Sequence, residues 1–220
     1  MANIEQWVME IPPITRAWII ASVAISVGVQ CQVVSPFHLY FSWKATFGHL
    51  QLWRLISTFI YFGPLSINFV MRLFFIMRYS RLLEENSYAN RKADYLWLLI
   101  VCSLFLLLIS PLFTIPILSG SLAFALVYIW AKRNPNVRMS MLGVITIPAP
   151  YVPLCLVGIS WILYGGSSVV VVADGLGLLV GHIYYFGQDV WPMEMSSSGK
   201  GLFETPNLLS ALVDGPRTQN

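Results

Sequence analysis

Three polar side chains of types that could do chemistry lie in otherwise apolar runs: Ser119, Asp174 and His182. A serine becomes a nucleophile when a histidine base lies within hydrogen-bonding reach. A carboxylate inside hydrocarbon costs about 2.5–3.5 kcal/mol on insertion scales, so it usually faces a bundle interior or a wet cavity. Small polar residues in membrane spans also serve helix packing. The residues alone therefore leave an intramembrane Ser–His dyad open beside a packing role.

Small residues and an aromatic-basic pair form two further patterns. Ala173, Gly177 and Gly181 are spaced four residues apart, so they line one face of a helix and let a neighbouring backbone approach closely. Trp53-Arg54 follows an aromatic loop, where the arginine can hydrogen-bond loop carbonyls and the indole can anchor at the membrane interface. Ordinary snorkelling of the arginine is the alternative interpretation.

The composition is that of an integral membrane protein. The 220-residue chain is 57% hydrophobic and 10% charged, with a net charge of +3; its mean hydropathy is +0.70. Soluble domains carry about 25% charged residues. We expect no nucleic-acid partner, because the basic residues flank apolar runs. His38 and His49 have no Cys, Asp or Glu nearby at metal-site spacing, so we expect no metal and no cofactor.

Hydropathy and proline positions predict an all-α membrane domain of six transmembrane helices over residues 1–190. The second predicted span contains Gly63-Pro64 and Asn68, and we place Asn68 with Ser119, Asp174 and His182 as candidate polar groups of the interior. Residues 35–52 form an aromatic loop suited to the headgroup region. The predicted spans are Ala17–Val34, Leu55–Phe75, Tyr95–Ile109, Ile115–Trp130, Met141–Leu163 and 169–186.

Basic residues predict that both termini are cytosolic. Positive charge flanks the connections between spans 2 and 3 and between spans 4 and 5, and cytosolic loops carry such an excess. The connections between spans 3 and 4 and between spans 5 and 6 contain no lysine or arginine. The flanking residues are Arg72, Arg78, Arg81, Arg91 and Lys92 in the first case, and Lys132, Arg133 and Arg138 in the second.

Residues 191–220 are predicted to be a cytosolic tail with one short amphipathic helix. Thr205 is the expected N-cap, with Pro206 at the first helical position and apolar residues following it. An isolated helix this short is marginal in water, so we expect it to lie on the membrane or on a partner.

The segments taken together resemble the derlins, a family of six-span endoplasmic-reticulum proteins with the rhomboid fold. The resemblance follows the chain in order through IPPITRAW, SPFHLYF, LWRLISTFIYFGP, NFVMRLFFIMRYSRLLEE, VYIWAKRNPNVRM, PAPYVPLCLVGISWIL and GHIYYFGQDVWP. Derlins are regarded as rhomboid pseudoproteases, so the resemblance implies a chain without catalytic residues. It also implies that the W-R motif at Trp53-Arg54 and the G-x-x-x-G at Gly177 and Gly181 are functional.

The comparison with active rhomboids implies a broken dyad. Active rhomboids carry G-x-S-G in the fourth span, whereas here Ile117-Leu118-Ser119-Gly120 lacks the leading glycine. Aligning the sixth span on its G-x-x-x-G places Asp174 where those enzymes have the catalytic histidine. His182 lies two turns further along the helix and cannot simply substitute.

The resemblance implies a non-enzymatic role in moving misfolded endoplasmic-reticulum proteins to the cytosol for ubiquitin-proteasome degradation. It implies local thinning of the lipid bilayer, association with a membrane RING ubiquitin ligase complex, and self-assembly into a channel. Many derlins end with a motif that recruits a cytosolic AAA ATPase, and nothing after Gly199 matches it. Two alternatives are open: the chain contacts that ATPase through other partners, or the sequence is truncated before the motif.

Two other classes of function remain open from the sequence. One is an intramembrane serine protease using Ser119, which needs a base that the sequence does not supply. The other is a small transporter coupled through Asp174, which should show inverted repeats with matching broken helices, and the sequence has none.

Overall fold

The computed structural model describes residues 9–113, 115–141, 145–194 and 201–214. These residues form ten α-helices, a few short 3-10 and π turns and one small hairpin. The helices are α1 (Pro13–Gln30), α2 (Trp43–Gly48), α3 (Arg54–Ile60), α4 (Ile67–Leu82), α5 (Lys92–Ile109), α6 (Ser119–Arg133), α7 (Val152–Leu163), α8 (Ser168–Tyr185), α9 (Trp191–Glu194) and α10 (Asn207–Val213), and the strands are β1 (Arg138–Met141) and β2 (Ile145–Pro148).

Helix α6 lies at the centre of the bundle and packs against α4, α5, α7 and α8. Its first half is rich in small side chains, and Ser119, Ser121 and Ala125 are fully buried. Small residues let neighbouring helices approach closely where lipid supplies no hydrophobic driving force. Its last turn carries Lys132 and Arg133, which suit the negative end of a helix dipole.

Within the described ranges, three helices are long and apolar enough to cross a membrane: Pro13–Gln30, Lys92–Leu112 and Ser168–Glu194. These correspond to the predicted first, third and sixth spans. Ala149–Ile162 is a shorter apolar helix. The chain is therefore a mostly helical membrane protein, and the prediction of six spans is confirmed only in part.

The predicted second span is wrong as a continuous helix. The structure has α3 and α4 with an extended break between them, where Gly63 adopts φ +111°. Only glycine takes up that conformation readily, and the following Pro64 has no N–H for a helical hydrogen bond. The buried Ser26 hydroxyl donates to the Gly63 carbonyl at 3.1 Å and so satisfies part of the broken backbone.

The predicted fifth span is wrong over its first third. Strands β1 and β2 pair antiparallel there, with Met139 opposite Ile147, while residues 142–144 lie outside the described residues. Pro148 ends the hairpin because proline fits neither a helix interior nor a continuing ladder. The helix of this region is α7, with only 12 residues.

A buried carboxylate fixes the start of α1. Glu84 is 5% exposed, and it accepts hydrogen bonds from the Ile14 N–H at 3.0 Å, the Thr15 N–H at 2.9 Å and the Thr15 hydroxyl at 2.7 Å. The first N–H groups of a helix have no partner inside it, and an acidic group there also suits the helix dipole. Ser80 and Tyr95 extend the chain of hydroxyls behind Thr15, each link being 2.6 Å long.

We predict that Glu84→Gln lowers the free energy of unfolding by about 1–3 kcal/mol, because an amide NH₂ would face donors that need an acceptor. The neighbouring Glu85→Gln is the matched control, since Glu85 forms an exposed pair with Arg81 and such pairs contribute about 0–1 kcal/mol. Thermal unfolding in nanodiscs measures both variants. Equal midpoints for the two would contradict the role given to Glu84.

Candidate functional site

The Trp53-Arg54 pair holds the aromatic loop that precedes it. Arg54 is 7% exposed, and its Nη1 donates to the carbonyls of Phe37 and Tyr40, each at 2.6 Å. Its Nε donates to Gln51 Oε1 at 2.7 Å. One guanidinium thus joins three points of the loop through charge-assisted hydrogen bonds, which are the stronger kind.

Trp53 lies outside this clamp. Its indole is 55% exposed and donates to the His38 carbonyl at 3.3 Å. Other large side chains of the same loop are exposed as well, including Trp43 and Phe47, whose rings stack at 4.4 Å between centroids. This arrangement fits an interfacial segment with an apolar outer surface.

Gly177 and Gly181 form the contact between α8 and α6. A Cβ atom on Gly177 would lie 2.2 Å from the Ser121 carbonyl oxygen, and one on Gly181 would lie 2.9 Å from the Ala125 carbonyl oxygen. Both helices therefore touch backbone to backbone, and only glycine fits. The Ser121 hydroxyl donates to the Ala173 carbonyl at 2.7 Å and adds a hydrogen bond across the same seam.

Ser119 is fully buried and already has a hydrogen-bond acceptor. Its hydroxyl donates to the Tyr61 carbonyl at 2.7 Å, in the extended stretch between α3 and α4. A serine needs a base that can take its proton before it can act as a nucleophile. In this arrangement the proton is directed at a backbone carbonyl, which cannot accept it as a base.

Asp174 lies in the interior, in the first half of α8. It is 5% exposed, and its Oδ2 atom has no hydrogen-bond partner among the described residues. The Ser160 hydroxyl lies within hydrogen-bonding reach of the carboxylate, and the Arg72 guanidinium is close enough to act on its charge. The Asp174 carboxylate is therefore a buried polar group on an apolar helix.

Arg72 connects α4 to the end of α7. Its Nε donates to the Tyr164 hydroxyl at 2.9 Å, and its guanidinium carbon lies 5.0 Å from the centre of the Tyr164 ring. Ten residues separate Arg72 from the last residue of α4, about 15 Å along a helix. Assigning Arg72 to the charged connection between spans 2 and 3 is therefore wrong, because it lies beside the 5–6 connection instead.

Two of the four candidate interior groups are not buried. Asn68 is exposed in the first turn of α4, because the break at Gly63-Pro64 places it near a helix end. His182 is exposed as well, and its Nδ1 pairs with the Tyr128 hydroxyl at 2.7 Å rather than with Ser119. These two interior placements were wrong, whereas Ser119 and Asp174 are buried. No group of three or more His, Cys, Asp or Glu that could hold a metal occurs in the described part of the chain.

Sequence reasoning missed a polar cluster at the other end of α6. Arg133 pairs with Asp189 at 2.9 Å, and its guanidinium carbon lies 4.8 Å from the centre of the Tyr88 ring. Burial raises the pKa of the Tyr88 hydroxyl, and the positive charge of Arg133 opposes that shift. The sequence does show a positive charge, Arg133, after one apolar run and a negative charge, Asp189, after another. That pattern could have indicated the pair.

We predict that Gly177→Ala destabilises the chain by about 1–3 kcal/mol, because α6 and α8 must separate to admit the methyl group. Gly175→Ala is the matched control two residues away, where a Cβ would meet nothing within 4 Å. That control should stabilise by up to about 1 kcal/mol, since alanine is the better helix former. Thermal unfolding midpoints in the same lipid test the pair, and a Gly177→Ala protein as stable as wild type would disprove the contact.

Comparison with known proteins gives the family. Residues 11–207 match the Der1-like family. The chain is 40% identical over 220 residues to Derlin-2.1 of Zea mays, covering 95% of this chain and 86% of that protein. It is 39% identical to Derlin-2 of Oryza sativa subsp. japonica with the same coverage. It is 33% identical over 215 residues to Derlin-1 of Arabidopsis thaliana, covering 97% of this chain and 78% of that protein. The chain belongs to the Der1-like family.

Proposed function

We propose that this chain is a non-enzymatic, rhomboid-like factor that moves misfolded proteins from the endoplasmic reticulum to the cytosol for ubiquitin-proteasome degradation. It acts in the endoplasmic-reticulum membrane, with both termini cytosolic, by thinning the lipid bilayer locally and assembling a channel. Its partners are the misfolded client, a membrane RING ubiquitin ligase complex, further copies of itself and, through other proteins, a cytosolic AAA ATPase.

The short helix α7 is the observation that carries this proposal. Its 12 residues extend about 18 Å, and the whole apolar helical segment Ala149–Ile162 extends about 21 Å, against a hydrocarbon core of about 30 Å. A short apolar segment is accommodated by thinning the bilayer around it or by drawing polar flanks inward. A thinner bilayer lowers the cost of passing a polypeptide, whose backbone polar groups would otherwise lie unpaired in hydrocarbon.

Polar groups next to α7 support the same mechanism. Ser160 lies on α7, Tyr164 directly follows it, and Asp174 and Arg72 lie close to them. Charged groups inside a membrane draw in water and thin the bilayer locally. The short apolar helix and a group of polar side chains in the interior therefore lie side by side.

The contacts of the candidate catalytic groups favour a protein without peptidase activity. Ser119 donates to the Tyr61 carbonyl, while His182 pairs with Tyr128. Asp174 occupies the position where the resemblance places a catalytic histidine, and a carboxylate of reference pKa about 3.9 is a poor base for a serine.

The clamped aromatic loop supports a role in meeting client proteins at the membrane surface. Arg54 fixes the backbone of the loop while Trp43, Phe47 and Trp53 remain exposed. A rigid apolar surface in the headgroup region disturbs lipid packing around it, because bulky rings insert among the headgroups.

We predict that depletion of this protein stabilises a full-length misfolded client in a translation-shutoff chase. Wild type and Ser119→Ala should restore turnover equally, without a shorter client fragment under proteasome inhibition, because no step uses the Ser119 hydroxyl. Gly177→Leu should fail to restore turnover, since it separates α6 from α8, while the matched Gly175→Leu, whose position is exposed, should restore it.

A client fragment that forms with wild type and disappears with Ser119→Ala would overturn the proposal and identify an intramembrane serine protease. Unchanged client turnover after depletion would overturn it as well, provided that expression of the client is equal in both strains.

A further inference from the structure

The residues that follow the last long helix fold back onto the bundle. We call residues 201–214 the strap. Its backbone is held at one end by two hydrogen bonds, from the Leu202 N–H to the Gly187 carbonyl at 2.9 Å and from the Trp97 indole to the Phe203 carbonyl at 3.2 Å. At its other end, the Ala93 N–H donates to Asp214 Oδ1 at 3.2 Å. The strap therefore runs along α5, on which α10 packs.

Phe203 is the anchor of the strap. Its ring stacks on Tyr184, with an interplanar angle of 9° and centroids 5.8 Å apart, and meets Phe105 edge-on at 5.7 Å. A Cβ on Gly187 would lie 2.5 Å from the same ring, so the absence of a side chain there makes room for it. Three elements thus form a fitted socket for one aromatic side chain.

The contacts also give the depth of the anchor. Trp97 and Phe105 lie five and thirteen residues after Lys92, the first residue of α5, or about 7.5 and 20 Å along the helix axis. Phe203 lies between them, and Asp214 returns to the start of α5. A stretch of the strap therefore runs beside a helix that is apolar enough to cross a membrane.

Three leucines are exposed on the strap, together with the polar Glu204 and Asn207. Leu208 and Leu212 are spaced four residues apart on α10 and are 83% and 82% exposed, and Leu202 is 58% exposed. The strap contains no lysine or arginine. Leu104 and Leu108, farther along α5, are also exposed, at 53% and 64%. The exposed leucines of the strap therefore lie along a helix whose own outer surface is apolar.

We propose that the strap lies in the lipid leaflet at the start of α5, with Leu202, Leu208 and Leu212 in contact with lipid. The geometry favours lipid as the occupant, because the exposed leucines lie along a helix that is apolar enough to span the membrane. Along that helix they lie between Trp97 and the charged residues Arg91 and Lys92 at its start. A soluble partner could reach these leucines only by displacing lipid. The inference is independent of the proposed role in protein export.

The strap also forms part of the wall of a polar cavity. Thr205 lines a space of about 360 Å³ together with Tyr88, Arg91, Arg133 and Asp189. The strap therefore lies beside the ion pair between Arg133 of α6 and Asp189 in the continuation of α8.

Fluorescent labels at single cysteines test the lipid contact in the full chain, reconstituted in phosphatidylcholine vesicles after replacement of the three native cysteines. An environment-sensitive label at position 208 or 212 should be quenched by lipids carrying a spin label and be at least fivefold less sensitive to iodide than a label at Asn136, which is exposed in the connection between α6 and β1. Iodide quenching at 208 and 212 equal to that at 136 would overturn the proposal.

A pair of neighbouring substitutions tests the anchor. Phe203→Ala should increase iodide quenching of a label at 212 and the rate of proteolysis within the strap, each by at least fivefold, because the aromatic socket is emptied. Glu204→Ala is the matched control, since Glu204 is exposed, and it should change neither measurement. Equal behaviour of the two variants would overturn the anchoring role of Phe203.

Discussion

The close contact between α6 and α8 is the constraint on which the rest of the structure depends. A Cβ atom at Gly177 or Gly181 would meet the backbone of α6 at 2.2 or 2.9 Å, so the two helices can touch only because both residues lack a side chain. Lipid gives helices no hydrophobic reason to associate, and close backbone contact with interhelical hydrogen bonds must hold them together. Because α6 also packs on α4, α5 and α7, this seam joins α8 to the helices at the centre of the bundle.

The seam also decides what the polar groups can do. It places Asp174 one turn before Gly177, beside Ser160 and Arg72, and it leaves Ser119 facing the break between α3 and α4, where the Tyr61 carbonyl accepts its proton. Hydroxyl groups in the interior thus satisfy backbone carbonyls left free by broken or short helices. Buried polar groups therefore lie beside the short helix α7, and Ser119 is not paired with a base.

The sequence predicted those features that depend on local pattern. The small-residue face, the apolar runs of α1, α5 and α8, and the burial of Ser119 and Asp174 follow from spacing and hydropathy. The second and fifth spans failed because apolar composition does not separate a helix from an extended break at Gly63-Pro64, or from a hairpin ending at Pro148. The partners of Arg72, Glu84 and Phe203 lie 92, 69–70 and up to 106 residues away in sequence, and a single sequence carries no signal for such pairings.

Thr205 was predicted as the N-cap of the last helix, but Pro206 occupies that position, a difference within the usual uncertainty of helix ends.

Local membrane thinning is the central claim, and the thickness of the bilayer around the protein tests it most directly. Electron cryomicroscopy of the chain in a lipid nanodisc gives the distance between the two headgroup layers at each point of its circumference. The account predicts a distance several ångströms shorter beside α7, with its 12 residues, than beside α5, with its 18. A uniform thickness around the protein would contradict it.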